Sequence, residues 1–366
     1  MNLSRKLTLL VCLLVLLVPF ASISAQESLI ESVCLVTDLG RVNDGTFNQY
    51  AHEGAEQAAD EFDLEYSFIE TQNQADYARN IQTCLDEDFD AVVTVGFLIG
   101  DATHAAAVAN PDVYFIGIDQ FFVEPLPNLV GILFREDQGG FLAGSLAAMM
   151  TESGIVGVVG GQTVPPVLKF RRAFDQGVAY INELDGTDVQ TVGVYIDSFL
   201  APDRGAAAAE QFIGEGADVI FGAGGPTGSG AITYAAQNGV LVIGVDQDEY
   251  FSTFGGGETP GAENLISSAV KRVDLGVYNM LALLGNGENL PEGSIYVLEA
   301  ANDGITFAPP HDSDVPEDVT ARMEEILAGL ADGSIETGVD PNTGALLSDP
   351  DATPEPMVTA EPTAES

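Results

Sequence analysis

Tryptophan is absent from the 366-residue sequence, and cysteine and histidine occur only three times each. Basic side chains are scarce too, with 12 Lys and Arg against 56 Asp and Glu and a formal net charge of −44. So acidic a surface repels phosphate and has no basic stripe to release counterions, which excludes a general nucleic-acid binder. Electrostatic docking on an anionic membrane is excluded for the same reason. Cys12, Cys34, Cys84, His52, His104 and His311 show no CxxC or HxxxH spacing, so a zinc site has no framework. Beyond the N-terminal segment, no apolar run reaches the ~20 residues that span a bilayer. What the chain does have is apolar material, 46% of its residues, enough for one large or two medium cores; disorder throughout is thereby excluded.

Arg5 and Lys6 precede an apolar run from Leu7 to Phe20, and small residues follow to Ala25, the pattern of a secretory signal over residues 1–25. The mature chain is expected to be exported across the cytoplasmic membrane. Setting Arg5 and Lys6 aside leaves 10 basic residues against 56 acidic ones, a charge of −46. Cleavage removes Cys12. Cys34 and Cys84 both fall in segments that read as buried, so one disulfide and two packed thiols stand as equal alternatives.

The body alternates short apolar runs with helical patterns. SVCLVT at Ser32, YSFIE at Tyr66, AVVTVG at Ala91 and VYFIGID at Val113 are separated by helical stretches near Thr46, Ala75 and Asp101. IVGVVGG at Ile155, VQTVGVY at Val189, DVIFGAGG at Asp218 and VLVIGVD at Val240 repeat the pattern, and Asn128 to Gly144 reads as a strand passing between the two sets. Unbroken apolar runs bounded by Gly and Asp are strands covered on both faces, which predicts an α/β protein with two parallel sheets. Domain size favours two lobes: 31–130 with about 249–290, and 131–248 with about 291–339. Residues 340–366, rich in Pro, Thr and acid, are expected to be a disordered tail.

In such sheets the ligand crevice lies beyond the carboxyl ends of the strands, so residues after each run are the candidates. They include Asp38, Asp44, Thr46, Phe47 and Asn48, then Asp119, Gly225 in the glycine-rich GAGGPTG, and Asp246 with Asp248. Each alone is as readily a helix cap or turn residue. Together they are more telling, since Phe47 between Thr46 and Asn48 offers an aromatic face beside hydrogen-bonding groups, the need of a nucleobase. Lys271, one of two lysines in the mature chain, sits in an apolar stretch read as helical, where it would meet a ligand or a carboxylate such as Asp246. The KFRR cluster from Lys169 to Arg172 reads mainly as a basic helix start.

TDLGRVNDGTFNQYAHEG, TVGF, YFIGIDQ, FREDQGGFLAG, FDQG, IFGAGGPTGSG, VIGVDQD and SAVKRVD occur in this order between about Val33 and Phe307. In this the chain resembles the basic membrane protein family of ABC-transporter substrate-binding proteins, whose best-understood members are purine nucleoside receptors. The resemblance implies two Rossmann-like lobes joined by crossing strands, the type I periplasmic-binding-protein fold. It implies a monomer without cofactor or metal that hands a nucleoside to an ABC permease and its ATPase subunits. By resemblance Asp38, Thr46 and Asn48 contact the base, Phe47 and Phe221 stack on it, and Asp119, Gly225, Asp246 and Lys271 surround the ribose. Two departures are visible: Pro226 interrupts the glycine loop, and Cys12 lies inside the apolar run, which argues against a lipid anchor.

Three other functions compete. GAGGPTG followed 18 residues after Gly228 by Asp246 is compatible with an NAD-dependent oxidoreductase, although clean GxGxxG spacing is lacking. Asp246 and Asp248 as paired carboxylates would suit a nucleoside hydrolase. A sugar receptor would keep the same fold.

Overall fold

The computed structural model describes residues 27–291 and 293–348; the expected signal segment, its Cys12 and the end of the expected tail lie outside them. In chain order the first half runs β1 (Ser32–Leu39), α1 (Phe47–Phe62), β2 (Glu65–Thr71), α2 (Tyr77–Asp86), β3 (Ala91–Thr94), α3 (Gly100–Ala109), β4 (Tyr114–Ile118) and β5 (Leu129–Phe134). The second runs α4 (Glu136–Met150), β6 (Ile155–Gly160), α5 (Pro165–Asp185), β7 (Gln190–Tyr195), α6 (Pro202–Gly214), β8 (Val219–Ala223), α7 (Gly225–Gln237), β9 (Leu241–Asp246) and β10 (Leu265–Lys271). Last come α8 (Val273–Gly285), β11 (Ile295–Leu298), β12 (Ile305–Phe307) and α9 (Glu317–Asp332).

Two six-stranded sheets result, ordered β11-β5-β4-β3-β1-β2 and β12-β10-β9-β8-β6-β7. The orders are equivalent strand for strand, and every pairing is parallel except β10 with β12. Central strands such as β3 and β8 are buried along their whole length, whereas the edge strands β2 and β7 are partly exposed, as two-sided burial requires. Helices α4 and α5 of the second lobe pack at very close range: a Cβ on Gly140 or Gly144 would come within about 2 Å of the Phe170 or Phe174 carbonyl. The QGGFLAG run is thus a helix-packing surface. Cys34 and Cys84 form a disulfide, which decides between the two alternatives left by the sequence.

The lobes are duplicated at their junction. Asn128 before β5 and Asn264 before β10 each donate to carbonyls at the end of the preceding helix. Both strands then end in an arginine, Arg135 or Arg272, in the inverse γ-turn region at φ −85°, ψ 63° and φ −72°, ψ 66°. Each guanidinium forks onto the aspartate two residues on, Asp137 or Asp274, with bonds of 2.8–2.9 Å.

The chain crosses between lobes at these arginines, so a strand and the helix after it belong to different lobes. This corrects the expected lobe boundaries. Within 249–290, β10 joins the second sheet and only α8 returns to pack on α1; within 291–339, β11 joins the first sheet. Alternation of strands and helices carries no information on which sheet a strand enters. The stretch from Asn128 to Gly144 is likewise a strand only to Phe134, and α4 follows. The stretch holding Lys271, read as helical, is β10 as far as Lys271 itself.

Residues 340–348, placed in the expected tail, are folded onto the second lobe. The Asp340 carboxylate accepts the Asn342 and Thr343 amides, Arg172 donates to the Gly344 carbonyl, and Val339 pairs with Leu346. Composition alone hid this anchored turn.

Candidate ligand-binding cleft

Strand ends from both sheets converge on one cavity. The first lobe supplies Asp38 in β1, Gly96, Phe97 and Leu98 after β3, and Asp119 after β4. The second supplies Phe199 after β7, Ala223 to Pro226 around the start of α7, Asp246 and Lys271. The cavity holds about 650 Å3 of space free of protein atoms, part of it open to solvent.

Asp119 and Asp246 mirror each other across it. Gly117-Ile118-Asp119-Gln120 and Gly244-Val245-Asp246-Gln247 sit at equivalent strand ends, and both aspartates are left-handed, with φ of 62° and 67°. Aspartate tolerates that conformation better than most side chains. Lys271 lies between lobes, 2.7 Å from Asp119 Oδ2 and 2.8 Å from Glu136 Oε1, with its ammonium over the rings of Phe47 and Phe134. Glu136 also pairs with Lys169, which donates to the Phe134 carbonyl at 2.9 Å. Burial alone would push Glu136 up, but the two ammonium groups outweigh it and hold its carboxyl at about 2.

Two acceptors in this assembly are left over. Asp119 Oδ1 is buried and unpartnered. The Asp246 side chain has no hydrogen-bond partner among the described residues, and burial pushes its carboxyl up to about 7 although Lys271 pulls it down. Three carboxylates thus face two lysines. Lys271 pairs with Asp119 and Glu136 rather than with Asp246, the partner suggested from sequence, and Lys169 is a buried ion-pair residue rather than part of a surface helix start.

At the other end, Asn48 Oδ1 accepts the Asp38 amide at 2.9 Å and its Nδ2 donates to Asp44 at 2.9 Å. Asp44 also accepts the Thr46, Asn48 and Gln49 amides, so it caps α1 from two residues upstream of Thr46. Thr46 is fully buried, its hydroxyl has no partner, and its carbonyl accepts Gln247 from the second lobe at 3.2 Å. Ser252 donates across the same gap to the Gly45 carbonyl at 2.6 Å. The lobes are therefore shut on each other.

Phe47 is half-buried and lines the cleft, as does Gly225 at φ 57°. Phe221 does not. It lies two residues short of the carboxyl end of β8, on the face it shares with Val219 and Ala223, stacked on Phe174 at 5.7 Å and edge-on to Phe170, and is fully buried. Ala223, two residues on and on the same face, reaches the cleft, whereas Phe221 is covered by Phe170 and Phe174 of α5. The second-lobe aromatics on the cleft are Phe199 and Phe170. Phe199 closely follows the VQTVGVY run, where the strand-end rule would have found it. Glu136 and Lys169 carried no such signal beyond the rarity of lysine.

Asp248 pairs with His311 at 2.6 Å and does not line the cavity, so it is not the carboxylate partner of Asp246 that the hydrolase reading called for. Among the described residues no helix is long and apolar enough to cross a membrane.

The comparisons agree with this geometry. Residues 31–328 match the family model described as ABC transporter substrate-binding protein PnrA-like. The CD4+ T-cell-stimulating antigen of Listeria monocytogenes is 30% identical over 85% of this chain and 88% of its own length. The ABC transporter nucleoside-binding protein BmpA of Lactococcus lactis is 27% identical over 82% of this chain and 87% of its own. A solute-binding protein of an ABC transporter system from Aeropyrum pernix superposes with a TM-score of 0.73 at 26% identity, covering 83% of this chain and 92% of that one. The fold is that of the type I periplasmic binding proteins, and the oxidoreductase and hydrolase readings fall away because the family binds solutes and is not enzymatic. The chain belongs to the PnrA-like family of ABC transporter substrate-binding proteins, which work outside the cytoplasmic membrane.

Proposed function

We propose that the cleft binds a purine nucleoside and that the closed protein, as a monomer, delivers it to an ABC permease coupled to ATPase subunits. The observation that carries this reading is the pair of leftover acceptors, Asp119 Oδ1 and the Asp246 carboxylate, set around Lys271 beneath the Phe47 ring. Adjacent ribose hydroxyls are donors that would satisfy both, and a charged acceptor left unpaired discriminates against ligands lacking them. Phe47, with Phe199 in place of Phe221, supplies apolar ring faces for the base. Asp38 and Asn48 meet its polar edge, and Gly225 and Thr46 border the space between lobes. The name of the Lactococcus lactis relative points the same way.

Closure buries the ligand and alters the surface offered to the permease, so affinity and lobe motion are linked. Native mass spectrometry of the purified protein, followed by calorimetry with adenosine, guanosine, inosine and free ribose, tests the reading. Micromolar or tighter binding of a nucleoside and none of ribose is expected. A retained hexose, or equal affinity for ribose, would replace the nucleoside by a sugar.

A further inference from the structure

Behind Asp38 the structure holds a brace that none of the cleft residues accounts for. Asp38 Oδ1 accepts the Leu39 amide at 2.7 Å and the Tyr77 phenol, while Oδ2 lies over Gly96. A Cβ at Gly96 would sit 2.4 Å from that oxygen, so the glycine leaves it room. Tyr77 is 5% exposed and does not line the cavity.

Its position is fixed from a distance. Cys34 and Val36 share one face of β1 by alternation, Asp38 beyond the register shift meets α2 through Tyr77, and Tyr77, Ile81 and Cys84 share one face of α2. The two elements run in opposite directions, with the Cys34–Cys84 bridge at one end and the Tyr77–Asp38 bond at the other. Between them Val36 and Ile81 belong to the same buried cluster. From Cys34 to Asp38 a strand advances about 13 Å, and from Tyr77 to Cys84 a helix advances about 10 Å. The two attachments therefore nearly match in span, one covalent and one through the phenol.

We propose that Tyr77 is a positioning residue for the cleft, holding the Asp38 carboxylate by one oxygen so that the other stays turned to the ligand. The inference rests on Asp38 being a ligand contact, as the proposed function has it. The groups that face Asp38 are Tyr77 from α2, the Leu39 amide of its own strand and the Asp44 carboxylate of the turn before α1. Burial pushes Asp38 up to about 6, and the Tyr77 hydrogen bond opposes that rise.

Tyr77→Phe removes one hydroxyl and keeps the ring in its cluster. Calorimetry with adenosine, guanosine and inosine from pH 5.5 to 8.5 is expected to show binding about five- to tenfold weaker at pH 7. The Asp38 contribution to the pH dependence moves upward, and the loss shrinks toward pH 8.5, where Asp38 is ionised with or without the phenol; a purely structural defect would be pH-independent. Asp38→Asn is the control. If it abolishes binding while Tyr77→Phe keeps both the wild-type Kd and the wild-type pH dependence, the positioning role is overturned and the cleft reading stands. If Asp38→Asn binds like wild type, or the wild-type protein binds none of the three nucleosides, both fail.

Discussion

Replacing Asp246 by asparagine should strengthen the empty protein while weakening its grip on ligand. The Asp246 carboxyl has an ordinary value of 3.8 and stands at about 7 in the folded chain, chiefly through burial. Between those values the folded state holds a proton that the unfolded state has released. Stability from this group is therefore full below pH 4 and declines as pH rises through 7. The difference of roughly three units corresponds to at most about 4 kcal/mol of strain carried at pH 8. Asp246→Asn removes that charge and should raise the ligand-free Tm at pH 8 by several degrees, with little change at pH 4. Its effect on binding has the opposite sign. An amide loses the charge-assisted bonds from ligand hydroxyls, which are worth about 1.5–3 kcal/mol each, so nucleoside affinity should fall by at least tenfold. Scanning calorimetry at the two pH values and titration calorimetry at pH 8 measure both. A lowered Tm at pH 8, or unchanged affinity, would refute the assignment of Asp246 as a strained acceptor held ready for ligand.

In the wild-type protein, nucleoside affinity should rise with pH from 5.5 to 8, by up to roughly tenfold per unit between pH 6 and 7 as Asp246 ionises and more steeply below pH 6, where Asp38 also holds its proton; a flat calorimetric profile contradicts an ionised Asp246 in the complex. Phe199→Ala should weaken nucleoside binding and leave the Tm nearly unchanged, whereas Phe221→Ala should cost about 3–5 kcal/mol of stability as a core truncation, measured by denaturant unfolding. The reverse pattern would restore Phe221 to the cleft. A nucleoside 5′-monophosphate should bind at least ~100-fold more weakly than the nucleoside itself, because Asp38, Asp44, Asp119 and Asp246 outnumber the single cleft ammonium, Lys271. Comparable affinities would show that the cleft electrostatics are misread.

β1 to β9 were plain in the sequence, because a short apolar run bounded by Gly and Asp and flanked by helical patterns fits a strand covered on both faces, whereas β10 read as a helix and the short β11 and β12 gave no run of their own. Asp38, Phe47, Asn48, Asp119, Gly225, Asp246 and Lys271 all line the cavity. Failures came where the answer depends on tertiary direction. Phe221 lies two residues short of its strand's end, on the same face as Ala223, and nothing local told that Phe170 and Phe174 of α5 would cover it. The membership of β10 and β11 depends on crossings at Arg135 and Arg272 that look like ordinary strand-to-helix turns. Glu136 and Lys169 lie apart in sequence, so their joint neutralisation became visible only once α4 and α5 were packed together.

The arginine forks at Arg135 and Arg272 have a mechanical consequence. Each guanidinium grips an aspartate two residues ahead in its own helix, so those grips travel with the moving part and need not be released as the lobes swing apart. Of the bonds between the lobes, Gln247 to Thr46 and Ser252 to Gly45 join the turn after β9 to the start of α1, and Lys271 to Asp119 is buried one residue from the crossing at Arg272. The junction itself is tied by other bonds, Lys169 to the Phe134 carbonyl and Arg135 to Glu299 among them, so resistance to gaping is shared between hinge and mouth.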